Sequence, residues 1–274
     1  MTFSKGYGQN FLVNESVPGR IAGQCGAEPD DGILEIGPGI GTLTSELAER
    51  YADVVAVEID ARLLPILDET LGRYDNVTVI HGDILKTPLA GIAEKYFPGR
   101  EITVCANLPY YITSPILMYL LESGVKFRAI TVMVQKEVAR RLTASPGTPD
   151  YGALTASVNR YGTAERLFDV SPGSFLPAPK VDSSVVRITP YEERPYRVRN
   201  ERTLGRVIRG SFALRRKNLA NSLSSEFGEI KKDDIIRLLS GLGFETGVRG
   251  EELGIREFAL VSDAIDGFTN GEET

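Results

Sequence analysis

Gly37, Glu58, Asp83 and Asn107 each close an apolar run, and they follow one another at intervals of 21, 25 and 24 residues. In "EIGPGIGTLT" the glycines Gly37, Gly39 and Gly41 precede a helical pattern, where they let the chain turn tightly and let a ligand approach the backbone. The pattern is G-x-G-x-G rather than the dinucleotide G-x-G-x-x-G, because Thr42 stands where the third glycine is required. A plain strand-to-helix connection is the alternative reading of such a loop. Glu58 has two carboxylate oxygens that could accept both ribose hydroxyls of an adenosine, a role shared by nicotinamide and methyl-donor cofactors. Asp83, in "HGDIL", could accept from an exocyclic amine. For either acid the alternative is a helix N-cap or a solvated loop residue.

The elements that must position these residues are legible as a rhythm. β-rich runs recur at Ile33–Ile36, Val54–Ile59, Val77–Ile80, Ile102–Cys105 and Ile130–Val134, with helical spacing of apolar residues in Thr42–Tyr51, Arg62–Gly72 and Pro115–Leu121. Strand alternating with helix predicts a doubly wound, mostly parallel sheet, whose ligands bind beyond the carboxyl ends of the strands. The four spaced positions then face one cleft. "SPGTPDYG" after residue 144 breaks the rhythm, and two further strand pieces, Leu167–Val170 and Ser184–Ile188, flank "SPGSFLPAPKVD". From Glu201 onward only helical spacing remains, as in Leu204, Val207, Ile208 and Phe212. A boundary at Pro190–Pro195 divides residues 1–190, an α/β domain, from 195–274, a smaller all-helical one.

With 274 residues, 42% of them apolar, the chain can bury a sizeable core. No run of eighteen apolar residues occurs and Met1–Asn10 holds no signal-peptide core, so a cytoplasmic protein without a membrane span is expected. Cys25, Cys105 and a single histidine, His81, are too few for an ordinary zinc site, and neither a metal nor a disulfide is expected. A net charge of −6 argues against a polyanionic partner on average. Yet residues 194–217 carry nine basic side chains against Glu201, whereas 218–274 carry five basic and twelve acidic. Arg202, Arg206 and Arg209 fall at i, i+4 and i+7 and share a helix face, followed by Arg215, Arg216 and Lys217. A solvated face is the ordinary account of a charge run; phosphate contacts along RNA explain so local an excess better.

"EIGPGIGTLT", "VEID", "HGDIL" and "NLPYYITSPIL", with "GQNFL", "FLPAPKVDSSV" and "RRKNLANSL", together resemble the S-adenosylmethionine-dependent ribosomal RNA adenine dimethyltransferases, the small-subunit enzymes related to macrolide-resistance methylases. The resemblance spans residues 8 to 260. It implies a Rossmann-like seven-stranded methyltransferase sheet with an antiparallel last strand and a helical C-terminal domain that contacts RNA. It implies S-adenosylmethionine as cofactor, with Asn10 and Leu12 at its edge, Gly37 at its methionine portion, Glu58 on the ribose, Asp83 on the adenine amine, Ile84 packed on the adenine face and Asn107 beside it. It further implies small-subunit ribosomal RNA as partner, within an assembling particle, and N6,N6-dimethyladenosine as product. The protein is expected to act as a monomer.

"Asn107-Leu108-Pro109-Tyr110" fits that reaction chemically. An adenine N6 amine is a poor nucleophile, because its lone pair is delocalised into the ring. If the Asn107 side-chain oxygen and the Leu108 carbonyl accept its two N–H bonds, the nitrogen pyramidalises and its lone pair points at the methyl. Pro109 fixes the local backbone and Tyr110 offers a stacking face. Phe175 resembles the family's second aromatic platform, on the opposite face of the base; a packing plug is its alternative. Tyr111 is read as structural, His81 as a loop residue and Cys105 as a buried strand residue. Three other readings compete. A large-subunit resistance methylase shares the fold, but that branch more often differs at Pro38 and Leu108. An RNA chaperone or transcription factor that lost the chemistry is opposed by the intact Asn107, Tyr110 and Glu58. A nicotinamide dehydrogenase is opposed by the missing third glycine and the lack of a proton donor.

Overall fold

The computed structural model describes residues 10–214 and 216–271. Arg215 of the basic run, and Gly8 and Gln9 of "GQNFL", lie outside the described residues.

Seven strands form one sheet: β1 (Gly32–Ile36), β2 (Asp53–Glu58), β3 (Val77–His81), β4 (Ile102–Asn107), β5 (Phe127–Gln135), β6 (Gly162–Val170) and β7 (Ser183–Pro190), in spatial order β3-β2-β1-β4-β5-β7-β6. The first five pair in parallel, and β7 runs antiparallel to β5. This is the Rossmann-like methyltransferase sheet with the antiparallel last strand that the resemblance implies. α1 (Ser16–Gly23) precedes the sheet, and between its strands lie α2 (Thr42–Ala48), α3 (Leu64–Leu71), α4 (Leu89–Tyr96) and α5 (Thr113–Glu122). β1 is buried along its whole length, as a central parallel strand must be. Gly32 opens it because a Cβ there would stand 2.1 Å from the Phe97 ring.

A two-residue ribbon, Phe11–Leu12 against Phe175–Leu176, lies apart from this sheet, with Leu12 opposite Phe175 and Phe11 opposite Leu176. It brings Phe11 and Leu12 to the cleft described below.

By packing, residues up to Arg140 together with Thr163–Pro190 form one unit, and Arg141–Gly162 together with Tyr191 onward form a second. The sequence assigns all of 1–190 to the first domain; the structure groups 141–162 with the helices instead. The reason is apolar. After α6 (Lys136–Leu142) and within and around α7 (Ala153–Val158), Tyr151 and Ala156 are buried in the same cluster as Leu204, Leu223 and Phe258. Phe212 bridges Tyr151 and Phe258 with centroids 6.0 Å from each, and the Tyr151 hydroxyl donates to the Leu253 carbonyl at 2.8 Å. The second unit continues through α8 (Glu201–Ala213), α9 (Leu219–Glu226), α10 (Lys232–Gly241) and α11 (Ile255–Thr269). Asn200 caps α8 by accepting from the N–H groups of Arg202 and Thr203. No helix among the described residues is long and apolar enough to cross a membrane.

Candidate active site

The carboxyl ends of β1, β2 and β4 surround a cleft lined by Asn10, Leu12, Glu35, Gly37, Glu58, Asn107, Leu108 and Tyr110, among others. The glycine loop and Glu58 are built as one piece. Gly37 and Gly41 adopt φ of +69° and +88°, left-handed values that favour glycine, and Gly41 sits at the N-terminus of α2. Open space surrounds the point where a Cβ of Gly37 would stand. The Gly37 N–H donates to the Val57 carbonyl at 3.0 Å, and the Gly39 N–H to Glu58 Oε2 at 3.2 Å. Glu58 Oε1 accepts from the Asp60 N–H at 2.8 Å, which leaves lone pairs on both oxygens for a diol. Burial raises the Glu58 carboxyl above its ordinary pKa, opposed by those two backbone donors.

Asn107 ends β4, and its Nδ2 donates to the Asn10 carbonyl at 3.3 Å. That bond orients the amide, so Oδ1 is the atom left to accept. Leu108 is buried, and its N–H is held by the Met133 carbonyl at 3.2 Å. Pro109 starts a 3-10 turn, Tyr110–Ile112, whose Ile112 N–H and Thr113 hydroxyl both donate to the Pro109 carbonyl. Tyr110 is half-buried with its hydroxyl 2.6 Å from Ser183 Oγ.

Several sequence expectations are displaced. Phe175 does not line the cleft: it is 3% exposed and packs with Leu12, Val17, Met133 and Val185. Alternation in the ribbon is the cause, since pairing with Leu12 turns Phe175 inward and leaves Leu176 outward. Asp83 and Ile84 are not among the lining residues either. Asp83 accepts from the Leu85 N–H at 3.0 Å as the cap of a 3-10 turn, the alternative its type allowed, and Ile84 is 6% exposed. Both stand beside the cleft, just past the rung pairing Glu58 with His81. Tyr111, read as structural, is 60% exposed and lines the cleft. His81 is the last residue of β3 rather than a loop residue, and Cys105 is buried in β4 as read.

Two of the lining residues that escaped the sequence reading bear on the site. Phe11 is one; its ring comes 3.3 Å from where a Cβ of Gly39 would be, and only the "NFL" resemblance hinted at it. Glu35 is the other, hidden because an acid inside "ILEI" looks like an outward strand residue. It is 1% exposed and its Oε2 makes no hydrogen bond. Burial pushes its carboxyl up to about 8, opposed by the Thr44 hydroxyl and aided by the Glu58 charge. The folded state therefore holds a proton that the unfolded chain has lost, and stability falls as pH rises from the unfolded value near 4.5 towards 8. Glu35→Gln is expected to stabilise the protein against heat much more at pH 9 than at pH 5. An equal melting-temperature difference at both pH values would remove Glu35 from that window.

Sequence comparison now decides the family. The model of the family described as ribosomal RNA adenine dimethylase matches residues 1–240. The chain belongs to the ribosomal RNA adenine dimethylase family. Among its relatives, the ribosomal RNA small subunit methyltransferase A of Geobacillus thermodenitrificans is 48% identical, across 96% of this chain and 91% of the relative. Among solved structures, a dimethyladenosine transferase from Plasmodium falciparum superposes with a TM-score of 0.78 at 25% identity, covering 95% of this chain and 98% of the other. The 23S rRNA methyltransferase ErmE superposes with a TM-score of 0.71 at 28% identity, covering 94% and 100%. As a ribosomal RNA adenine dimethylase, the protein is an S-adenosylmethionine-dependent rRNA methyltransferase. The cleft of this dimethylase fits that cofactor: Gly37 leaves open space at the backbone, Glu58 presents a carboxylate for a diol, and the buried Glu35 lines the same space.

Proposed function

We propose that this dimethylase methylates N6 of adenine twice in small-subunit ribosomal RNA, at the Asn107–Tyr110 turn. The orientation of Asn107 carries the reading. With Nδ2 spent on the Asn10 carbonyl, Oδ1 accepts one N6–H bond while the Leu108 carbonyl accepts the other. The bound S-adenosylmethionine supplies an electrophilic sulfonium methyl. The two acceptors turn the N6 lone pair towards it, and the proton released from N6 passes to water without a strong base. Most of the rate then comes from alignment. Glu58 holds the ribose, Gly37 accommodates the methionine portion, and Asn10 and Leu12 close the edge. Asp83 and Ile84 take the adenine amine and ring face. Tyr110 stacks on the target base, which must leave any helix to reach it. The relative at 48% identity bears a small-subunit name, whereas the 23S methyltransferase stands at 28%, which favours the small-subunit reading over the resistance type. Mass spectrometry of small-subunit RNA digests after incubation with protein and labelled methyl donor tests it. N6,N6-dimethyladenosine is expected; a ring-carbon methyl would sink the mechanism.

The second unit positions the RNA in this reading, which includes action as a monomer, in the cytoplasm, on RNA held in an assembling particle. Arg202, Arg209, Arg216 and Lys217 are exposed and available to phosphates. Arg206 departs from the sequence expectation: it donates to Glu226 and Glu229 and stacks on the Phe227 ring at 4.1 Å. Neutralising Arg202, Arg209, Arg216 and Lys217 is expected to flatten the plot of log affinity against log salt by about 3 units, at roughly 0.7–0.9 per contact. Arg206→Ala should lower thermal stability and leave that slope nearly unchanged. A filter-binding titration decides it; a quadruple variant with the wild-type slope makes the stripe a solvated face.

A further inference from the structure

Tyr110 is fastened from outside its own turn. Its hydroxyl meets Ser183 Oγ at 2.6 Å, across 73 residues of sequence, and Ser183 is wholly buried as the first residue of β7. Ser183 is itself fixed by the sheet, paired with Gln135 at the end of β5. The next residue, Ser184, turns to the other face and donates to Asp169 Oδ1 at 2.7 Å, and Asp169 is also held by Lys136 at 2.9 Å. The Lys136 N–H donates to the Asp182 carbonyl at 3.0 Å. The strand start is thus clamped on both faces, with the Ser183 hydroxyl held against the Tyr110 phenol.

The geometry points to Ser183 as a positioning residue: its hydroxyl tethers the Tyr110 phenol and holds the ring as a preformed stacking surface for the target base. This rests on the stacking role proposed for Tyr110. It also explains why a tyrosine rather than a phenylalanine stands at a position whose chemistry needs only a π-face. A ring already held in one rotamer loses little freedom when a base settles on it, whereas an untethered ring on a 3-10 turn must be ordered at that moment. The phenol's hydrogen bond is directed at Ser183, and burial raises its pKa, opposed by that bond.

A double-mutant cycle on the full-length protein, with small-subunit RNA and S-adenosylmethionine, tests the tether. Ser183→Ala and Tyr110→Phe delete the same bond from its two ends, and each is expected to lower kcat/KM for RNA by about five- to thirtyfold, the weight of one buried hydrogen bond with its ordering. The double variant should be no worse than either single one. Ser183→Thr should recover most of the activity, and calorimetric affinity for S-adenosylmethionine should stay at the wild-type value in all of them. Additive losses, or a fully active Tyr110→Phe, overturn the tether. Because Tyr110→Phe leaves the strand untouched, it answers the question even if Ser183→Ala fails to fold. Tyr110→Ala separates the two ideas. Large loss there with an active Tyr110→Phe refutes the tether and leaves the stacking surface standing; an active Tyr110→Ala removes the stacking surface and the tether with it.

Discussion

Asn107→Ala is expected to lower the rate of methyl transfer by about a hundred- to a thousandfold, the usual consequence of deleting one hydrogen-bonding group aimed at the reacting atoms. The amide has two tasks in the structure. Nδ2 ties the Asn10 carbonyl at 3.3 Å, and Oδ1 is left for N6. Aspartate separates them, since Asn107→Asp keeps an acceptor for N6 but loses the donor to Asn10 and sets a negative charge against a carbonyl. Both variants lose the donor to Asn10, so the added charge of Asn107→Asp should weaken cofactor binding beyond what Asn107→Ala does, whereas Asn107→Ala, which also lacks the acceptor, should act chiefly on the chemical step in single-turnover measurements. A first methylation leaves one N–H on N6, so the loss should be smaller for the second transfer if the Leu108 carbonyl can take the remaining proton. Normal turnover by Asn107→Ala would falsify the assignment.

Glu58→Ala should weaken S-adenosylmethionine binding by at least tenfold, and by up to about a hundredfold. Each hydrogen bond from a ribose hydroxyl to the carboxylate is worth roughly 1.5–3 kcal/mol, and every 1.4 kcal/mol is a factor of ten. The upper part of that range is reduced because the same carboxylate already serves the Gly39 and Asp60 N–H groups at 3.2 and 2.8 Å. Removing it also releases the glycine loop, so the heat of binding should change along with affinity. Glu58→Gln keeps the shape and one acceptor oxygen, and should lie between wild type and alanine. Calorimetry showing unchanged affinity in a folded Glu58→Ala protein would take Glu58 out of the site.

Much of this is legible in the sequence because strand and helix periods differ. The runs Ile33–Ile36, Val54–Ile59 and Ile102–Cys105 became β1, β2 and β4 within a residue or two, and parallel pairing then brought Gly37, Glu58 and Asn107 to the same edge. The acid ending β2 and the asparagine ending β4 needed only that edge to meet, which is why spacing alone found them. The segment 141–162 packs with the helices, which its place in the chain does not foretell, for the converse reason: "SPGTPDYG" breaks the strand rhythm, and nothing local shows that Tyr151 and Ala156 join the helical core.

Residue types and spacing were sufficient for the doubly wound sheet and the cleft at its carboxyl edge, because these follow from local propensity and from chain order, whereas the chemistry proposed for Asn107 rests on the family resemblance. Only tertiary structure decided which way alternating side chains face and which charges are already paired. One register in the ribbon turns Phe175 into the core and Phe11 to the cleft, and one helix packed beside α8 converts Arg206 from a phosphate ligand into the partner of Glu226 and Glu229. Glu35 and Ser183 became visible only in the folded chain. A residue's period gives its face relative to its own element, whereas burial and hydrogen-bond partners depend on what a distant segment places against that face.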